Sequence, residues 1–423
     1  MVRLNQEFFT GLTKDLPVAE GYKRVFETLT DGLQKGKLKA EHAVPSFRQL
    51  GIWLGAIDPM DEQGSWRKVA EEVKFVDHEG LQPHQINARV FTESNAAVRS
   101  QAFATLTSTL ISSKMIEAYE AVPSVADTLM TVMPNQTLRN QRLAGLTHIA
   151  APDSEVLEGH PYPETDFSEK YVTTSETKRG TILRLTEELM IFDQTGECYR
   201  RAAMLGTSLK NEMERRKIRL LIDADAGSSV YVYRPQGTGE TLYNTDASNL
   251  NYIGSGGLAG FNAASALVDW TDLDHVRKFR ATKVTDDRID GTARPIGGIN
   301  SNLTLLVPES LRSTANTIVY PTQVGYEPSS SGGVQFNYTQ PVAGFVSRVV
   351  SSPFVDEVNA DDYYIGDFNR QFVWTEIWPL RTAVQGRDSE SAFNQDVIFS
   401  IKASQYGGLS AVDSIYVTKI DGA

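Results

Sequence analysis

A single long amphipathic helix, written from about Gly196 to Ala224, constrains this chain more than any other feature. Ala202, Leu205, Leu209, Met213 and Leu220 recur at three- and four-residue spacing along it. About 28 residues rising 1.5 Å each make a rod of roughly 40 Å. That outruns the usual globular helix and predicts an elongated scaffold. Immediately before it, Tyr171 to Thr174 and Thr181 to Thr186 are β-prone runs separated by Ser-Glu-Thr-Lys-Arg-Gly. This is the pattern of a long hairpin with a charged turn, and it is too poor in apolar residues to make its own core.

The rest of the chain reads as mixed α and β. Short helical patches, Tyr22 to Leu29 and Trp66 to Val76, alternate with Gly and Pro breaks before residue 90. The apolar stretch Phe47 to Ile57 is too short to cross a bilayer and is expected to dock that region on the main body or on a neighbour. Helical spacing returns from Ser94 to Tyr119, carried by Val98, Ala102, Leu106, Leu110, Ile116 and Tyr119. Beyond the long helix come a β-prone piece at Val230 to Tyr233, a Gly-rich loop at Gly254 to Gly260 and a helix from about Asp269 to Thr282. Asp290-Gly291 then signals a turn before a strand at Leu303 to Val307. Pro308 sits where a helix starts, with Leu311, Ala315, Ile318 and Val319 as its buried stripe. Strands are expected at Phe345 to Ser351, Phe372 to Trp378 and Val397 to Ala403. In the last, Val397, Phe399, Ile401 and Ala403 share one face opposite Ser400 and Lys402.

Composition excludes several functions. The 423 residues carry 41 Lys+Arg against 53 Asp+Glu, a net charge of -12, which opposes tight general binding to nucleic acid. Cys198 is the only cysteine, so neither an intrachain disulfide nor a thiolate zinc site is expected. Its place in the apolar stripe of the long helix predicts a small buried hydrophobe. His42, His78, His84, His148, His160 and His275 form no local cluster. Gly254-Ser-Gly-Gly-Leu-Ala matches a dinucleotide fingerprint only superficially, because the residues before it read as loop. Asp286/Asp287 and Asp361/Asp362 are read as solvated acidic pairs rather than metal or acid-base sites. No catalytic, cofactor-binding or metal residue is expected. Met1 to Thr10 lacks a signal-peptide pattern, and no apolar run is long enough to span a membrane. The expectation is a soluble, acidic protein made in a reducing cytoplasm.

The order of these blocks resembles the major capsid proteins of tailed bacteriophages. The match is carried by ETDFSEKYVTTSETKRGTILRLTEELMIFDQTGECYRRAAMLGTSLKNEMERRKIRLLIDAD, from Glu164 to Asp225. HVRKFRATKVTDDRIDGTARPIGGINSNLTLLVPESLRSTANTIV and the stretch from SRVVSSPFVDEVNADDYYIGDF to FNQDVIFSIKASQYGG add to it. The resemblance implies an α+β, Hong Kong 97-like capsid fold. Its parts are an N-terminal extension (1–90), an N-terminal helix and arm (91–150), an E-loop hairpin (151–190), a spine helix and peripheral P domain (191–283), and an axial A domain whose strands return to the P domain (284–423). For residues 1–90 the family implies a delta-like assembly region, an inserted domain or an extended arm.

The implied function is self-assembly, through hexamers and pentamers, into an icosahedral shell around double-stranded DNA. The shell would be built in the bacterial host cytoplasm and retained in the virion. Scaffold, portal and decoration proteins are implied partners, DNA is contacted without sequence specificity, and no membrane or cofactor is involved. Glu169, Lys170, Glu176, Lys178 and Arg179 of the E-loop are the expected assembly contacts. Arg200, Arg201, Arg215, Arg216 and Lys217 of the spine helix are expected to face DNA or a neighbour's acids. One family variant cross-links an E-loop Lys to a neighbour's Asn. Lys170 and Lys178 fall in the segment, but no Asn or Glu matches, so no cross-link is expected. The alternatives are an encapsulin-type shell, which shares the fold, and an α/β enzyme, for which no catalytic constellation emerges.

Overall fold

The computed structural model describes residues 24–25, 27–29, 31–32, 47–53, 95–135, 142–146, 158, 169–174, 176–186, 196–224, 242–243, 251–254, 266–283, 296–320, 344–385 and 397–422. The expectations for Trp66 to Val76, Val230 to Tyr233, Asp286/Asp287, Asp290-Gly291 and every histidine except His275 lie outside the described residues. The chain divides into two compact units. The first gathers Met1–Pro123, Lys178–Glu212 and Trp378–Tyr406, and the second Ser124–Thr177, Met213–Ile377 and Gly407–Ala423.

The described helices longer than one or two turns are α1 (Asn95–Ala121), α2 (Glu197–Leu221), α3 (Trp270–Ala281) and α4 (Arg312–Val319). The strands are β1 (Thr131–Pro134), β2 (Arg142–Leu146), β3 (Glu169–Thr173), β4 (Thr177–Thr186), β5 (Tyr252–Ile253), β6 (Leu303–Pro308), β7 (Val346–Ser352), β8 (Tyr363–Gly366), β9 (Phe372–Gln385), β10 (Val397–Ala411) and β11 (Val417–Ile420). The periodic segments of the sequence therefore fold as read. The long helix is entered through Gly196, whose φ of 73° suits a residue without Cβ. It is closed by Asp223 at φ 51°, with Ala224 N–H donating back to Arg219 O at 2.9 Å.

In the first unit the strands lie in the order β9-β10-β4. Leu185, Ile401 and Ala403 are buried, as are Leu110, Met115 and Tyr119 of α1 and Cys198, Tyr199 and Ala202 of α2. Cys198 is the buried hydrophobe expected of it. The helices α1 and α2 touch at Gly206, where an added Cβ would collide with the Met115 carbonyl and come within 3.2 Å of Tyr119 N. Tyr119 then donates to the Pro379 carbonyl at 3.4 Å, tying α1 to β9.

Among the described residues, the two runs expected to pair as a hairpin, Tyr171 to Thr174 and Thr181 to Thr186, lie in different sheets. The first run, in β3, pairs antiparallel with β2, Arg142 opposite Thr173 through Leu146 opposite Glu169. The second run, β4, is hydrogen-bonded to β10 instead. Gly180 explains the difference: it serves a strand, not a turn, and its missing side chain lets the Ala403 carbonyl and Ser404 lie against it.

The second unit is built on a five-stranded sheet ordered β5-β11-β8-β6-β7, with β6–β7 and β5–β11 parallel and the other pairs antiparallel. Leu303, Leu305, Val307 and Ile365 pack with Leu273, Val276 and Phe279 of α3 and Ala315 and Ile318 of α4. Burying each large side chain contributes about 1.5–3 kcal/mol. The ends of α3 were legible: Asp269 accepts from Thr271 N–H, and Asp272 reaches back to the Asp269 N–H at 2.9 Å, a capping box. In this unit β1 runs parallel to β9, Thr131 opposite Val373, with all four of its residues exposed.

Candidate assembly surface

The expected contact residues divide between exposed and internally committed groups. In the first unit Lys178 and Arg179 are exposed on β4, with Lys178 Nζ 5.4 Å from the Trp378 ring centroid. Arg200 and Arg201 are exposed on α2, each 3.4 Å from Glu197 one turn earlier. Pairs of this kind contribute only tenths of a kcal/mol, about 0.2–0.5, so both guanidinium groups stay accessible.

The expected contact residues of the second unit whose side chains are described are engaged within it. Glu176 accepts from Thr174 Oγ1 at 2.7 Å and Asn135 Nδ2 at 3.1 Å. Arg215 grips Glu357 with two donors, Nε and Nη2. Those hydrogen bonds, and then the nearby Arg215 and Arg219 charges, hold the Glu357 carboxyl below its usual range. Arg216 donates to Thr177 Oγ1 and lies 6.0 Å from the Trp374 ring. Lys217, expected to face DNA or a neighbour, is instead buried, paired with Asp127 and 4.5 Å from the same ring. One helical turn earlier, buried Glu214 accepts from Ala126 N–H at 2.7 Å and from Ser124 Oγ. Glu214 and Lys217 thus clamp the turn at residues 124–128. Glu169 and Lys170 stand on β3 opposite Leu146 and Gly145, and their side chains lie outside the described residues.

Sequence reading missed three further buried charges. Arg280 is fully buried and donates to the carbonyls of Ile299, Ile365 and Tyr416 and to Thr418 Oγ1, at 2.9–3.1 Å. Desolvation lowers its guanidinium to about 10. Lys283 donates to Ile415 O at 2.8 Å and Thr418 Oγ1 at 3.0 Å. Burial, and then the Arg280 charge, push its amine well below the usual lysine range, against the pull of Asp413. Asp362, read as solvated, is buried and paired with Lys419 at 2.8 Å. A signal for the first two existed, since Arg280 and Lys283 continue the apolar spacing of Leu273, Val276 and Phe279 on α3.

Among the described residues no cluster of His, Cys, Asp and Glu could hold a metal ion. Gly254 follows the two-residue strand β5, and the rest of its Gly-rich run lies outside the described residues. No described helix is long and apolar enough to cross a membrane.

The model of a family described as "Phage capsid protein" matches residues 170–420, more than half of the chain. The chain belongs to the phage capsid protein family. This capsid protein is accordingly a structural component of the virion and not an enzyme. Among solved structures it is similar to the capsid of the cyanophage P-SCSP1u, with 11% identity, 70% of this chain and 87% of that one covered, and a TM-score of 0.43. It is also similar to the capsid of a native GTA particle, with 14% identity, coverage of 72% and 92%, and a TM-score of 0.41. The virus-like particle from Pyrococcus furiosus gives 7% identity, coverage of 73% and 96%, and a TM-score of 0.38. No relative is found among curated proteins.

Proposed function

We propose that this capsid protein is the major shell subunit of a tailed phage, with a Hong Kong 97-like fold. It self-assembles through hexamers and pentamers into a closed icosahedral shell around double-stranded DNA. The observation that carries this reading is the family match over residues 170–420. In this reading residues 1–90 are an N-terminal extension and 91–150 the N-terminal helix and arm. Residues 151–190 are the E-loop region, and 191–283 hold the spine helix and P domain. The A domain follows over 284–423, its last strands returning to the P domain.

A shell subunit meets several neighbours, so each contact is modest and reversible while the closed set is durable. Contacts of about 2,000 Å² or more per subunit fit such an assembly. Exposed Ile116, Ile182 and Met204 in the first unit are apolar groups available to a neighbour. Scaffold, portal and decoration proteins are the further partners of this reading, and DNA is held without sequence readout. Negative-stain microscopy of the purified chain tests it. Uniform polyhedral particles are the expected result, and a chain that stays monomeric under all assembly conditions overturns it.

A further inference from the structure

The loop between β10 and β11, residues 412–416, is held inside the second unit by buried side chains. Asn251 Nδ2 donates to the Ser414 carbonyl at 2.8 Å, Lys283 Nζ to Ile415 O at 2.8 Å and Arg280 Nη2 to Tyr416 O at 3.0 Å. Gln371 accepts the Val412 N–H on its carbonyl at 2.9 Å and the Val417 N–H on Oε1 at 2.7 Å. At the start of β11, Arg280 and Lys283 share a further acceptor, the Thr418 hydroxyl. Asn251, Arg280, Lys283 and Gln371 are all buried, as are Ser414, Ile415 and Tyr416. Two basic groups thus meet at one buried oxygen. Among the described residues, every acceptor of their side chains is a carbonyl or that hydroxyl, and none is a carboxylate.

A donor count at Lys283 decides the charge of the pair. An ammonium carries three donors, and the site offers two acceptors, Ile415 O and Thr418 Oγ1. An uncharged amine carries two and leaves no buried donor unmet. Of the two basic groups only the lysine can shed its proton, because a guanidinium stays charged. The other ionisable groups that face the pair are Asp413, Asp367 and Tyr416. Asp413 Oδ1 accepts the Ser414 and Ile415 N–H groups, Asp367 acts on Arg280, and the Tyr416 ring carries the Arg370 guanidinium at 4.1 Å. Burial and the Arg280 charge outweigh the pull of Asp413 on the amine. We propose that loop 412–416 is a proton-controlled latch, seated by Lys283 as an uncharged amine and released, with the adjoining strand β11, when that amine takes up a proton. The latch does not depend on the shell reading. Opening returns the amine to water, where it binds a proton at the ordinary lysine value of 10.5. Opening is therefore favoured as pH falls from that value, until the seated amine is itself protonated. Because β11 lies between β5 and β8, its release loosens one side of the five-stranded sheet and leaves the β6–β7 pair intact.

Hydrogen exchange of the full-length chain, read by mass spectrometry and divided by the intrinsic rate of each amide, tests the latch. Peptides covering residues 412–419 are expected to lose protection as pH falls below 10.5, by up to about ten-fold per pH unit, and then to level off. Peptides from β6 and β7 are expected to keep theirs. Lys283→Met removes the titrating group, so its exchange over 412–419 should be flat in pH. Lys283→Arg fixes the charge, so its exchange should be flat at the level that wild type reaches in acid. Asp413→Asn removes the opposing carboxylate and lowers the proton affinity of the seated amine. Its slope should match that of wild type and level off at a lower pH. Protection independent of pH in wild type overturns the proposal. So does a slope that survives in Lys283→Met or vanishes in Asp413→Asn, since either assigns the proton to another group. Should Lys283→Met fail to fold, wild type and Asp413→Asn decide between the same two outcomes.

Discussion

The basic side chains that matter most in the two units are placed differently. In the second unit Lys217, Arg280 and Lys283 are buried, and Arg215 and Lys419 are engaged with Glu357 and Asp362. In the first, Lys178, Arg179, Arg200, Arg201 and Lys402 reach solvent. A desolvated cation is tolerable only where carbonyls or carboxylates surround it, so in the second unit basic side chains organise the fold. An exposed cation adds little to stability and is free to meet a partner. Lysine and arginine counts are blind to this distinction, and local depth decides it.

The contrast can be broken most severely at Arg280. Arg280→Met removes a donor from three carbonyls and the Thr418 hydroxyl, of which Tyr416 O keeps the Asp367 N–H and Thr418 keeps Lys283, and is expected to cost about 3 kcal/mol, read as a lower midpoint in urea. An unchanged midpoint would mean that these carbonyls find water. Next comes Lys217→Met, which keeps the bulk beside Trp374 but removes the cation from Asp127. Since Asp127 is one-third exposed, its carboxylate keeps some solvent, and the expected loss is about 2 kcal/mol. Gly206→Ala tests the first unit by packing instead of charge. Overpacking against the Met115 carbonyl costs about 2 kcal/mol, and the better helix propensity of Ala returns about 1. The net loss is thus about 1 kcal/mol, and a stabilised variant would show that the helices do not pack so closely.

The smallest effect belongs to Glu357→Gln. The folded-state pKa of Glu357 is lowered, so its pairing adds stability above the ordinary carboxyl value near 4.5 and loses it as pH falls below that value. Wild type and variant should differ slightly at neutral pH and low salt, and converge both in acid and in high salt. A gap that persists at low pH would assign the effect to packing.

How much of this was legible depended on whether the cause was local. Asp269 and Asp272 announce the start of α3 because a capping box is closed within four residues. Pro308 likewise marks the turn of helix that leads into α4, and the 3.6-residue spacing of Ala202, Leu209 and Met213 is the buried stripe of α2 itself. Gly180 misled because a glycine after Ser-Glu-Thr-Lys-Arg satisfies the local rule for a turn, while its actual duty is to admit the Ala403 carbonyl from a distant strand. Lys217 and Asp362 misled for the same reason. Their partners, Asp127 and Lys419, are brought to them only by tertiary folding. Of the expected assembly residues, sequence found the exposed cations Lys178 and Arg179 but not the ring of Trp378 beneath Lys178.

The outer strand β4 has a consequence for how crowded copies behave before they are ordered. Among the described residues it ends its sheet, and a sheet edge invites a second edge to pair with it, strand after strand, into ribbons. On β4 that edge bears Lys178, Arg179 and Arg184, so two such edges repel when brought together. A subunit synthesised in bulk is thereby steered away from fibrous association and kept available for closure. Neutralising those three cations would expose the chain to aggregation during synthesis, well before any finished particle felt their loss.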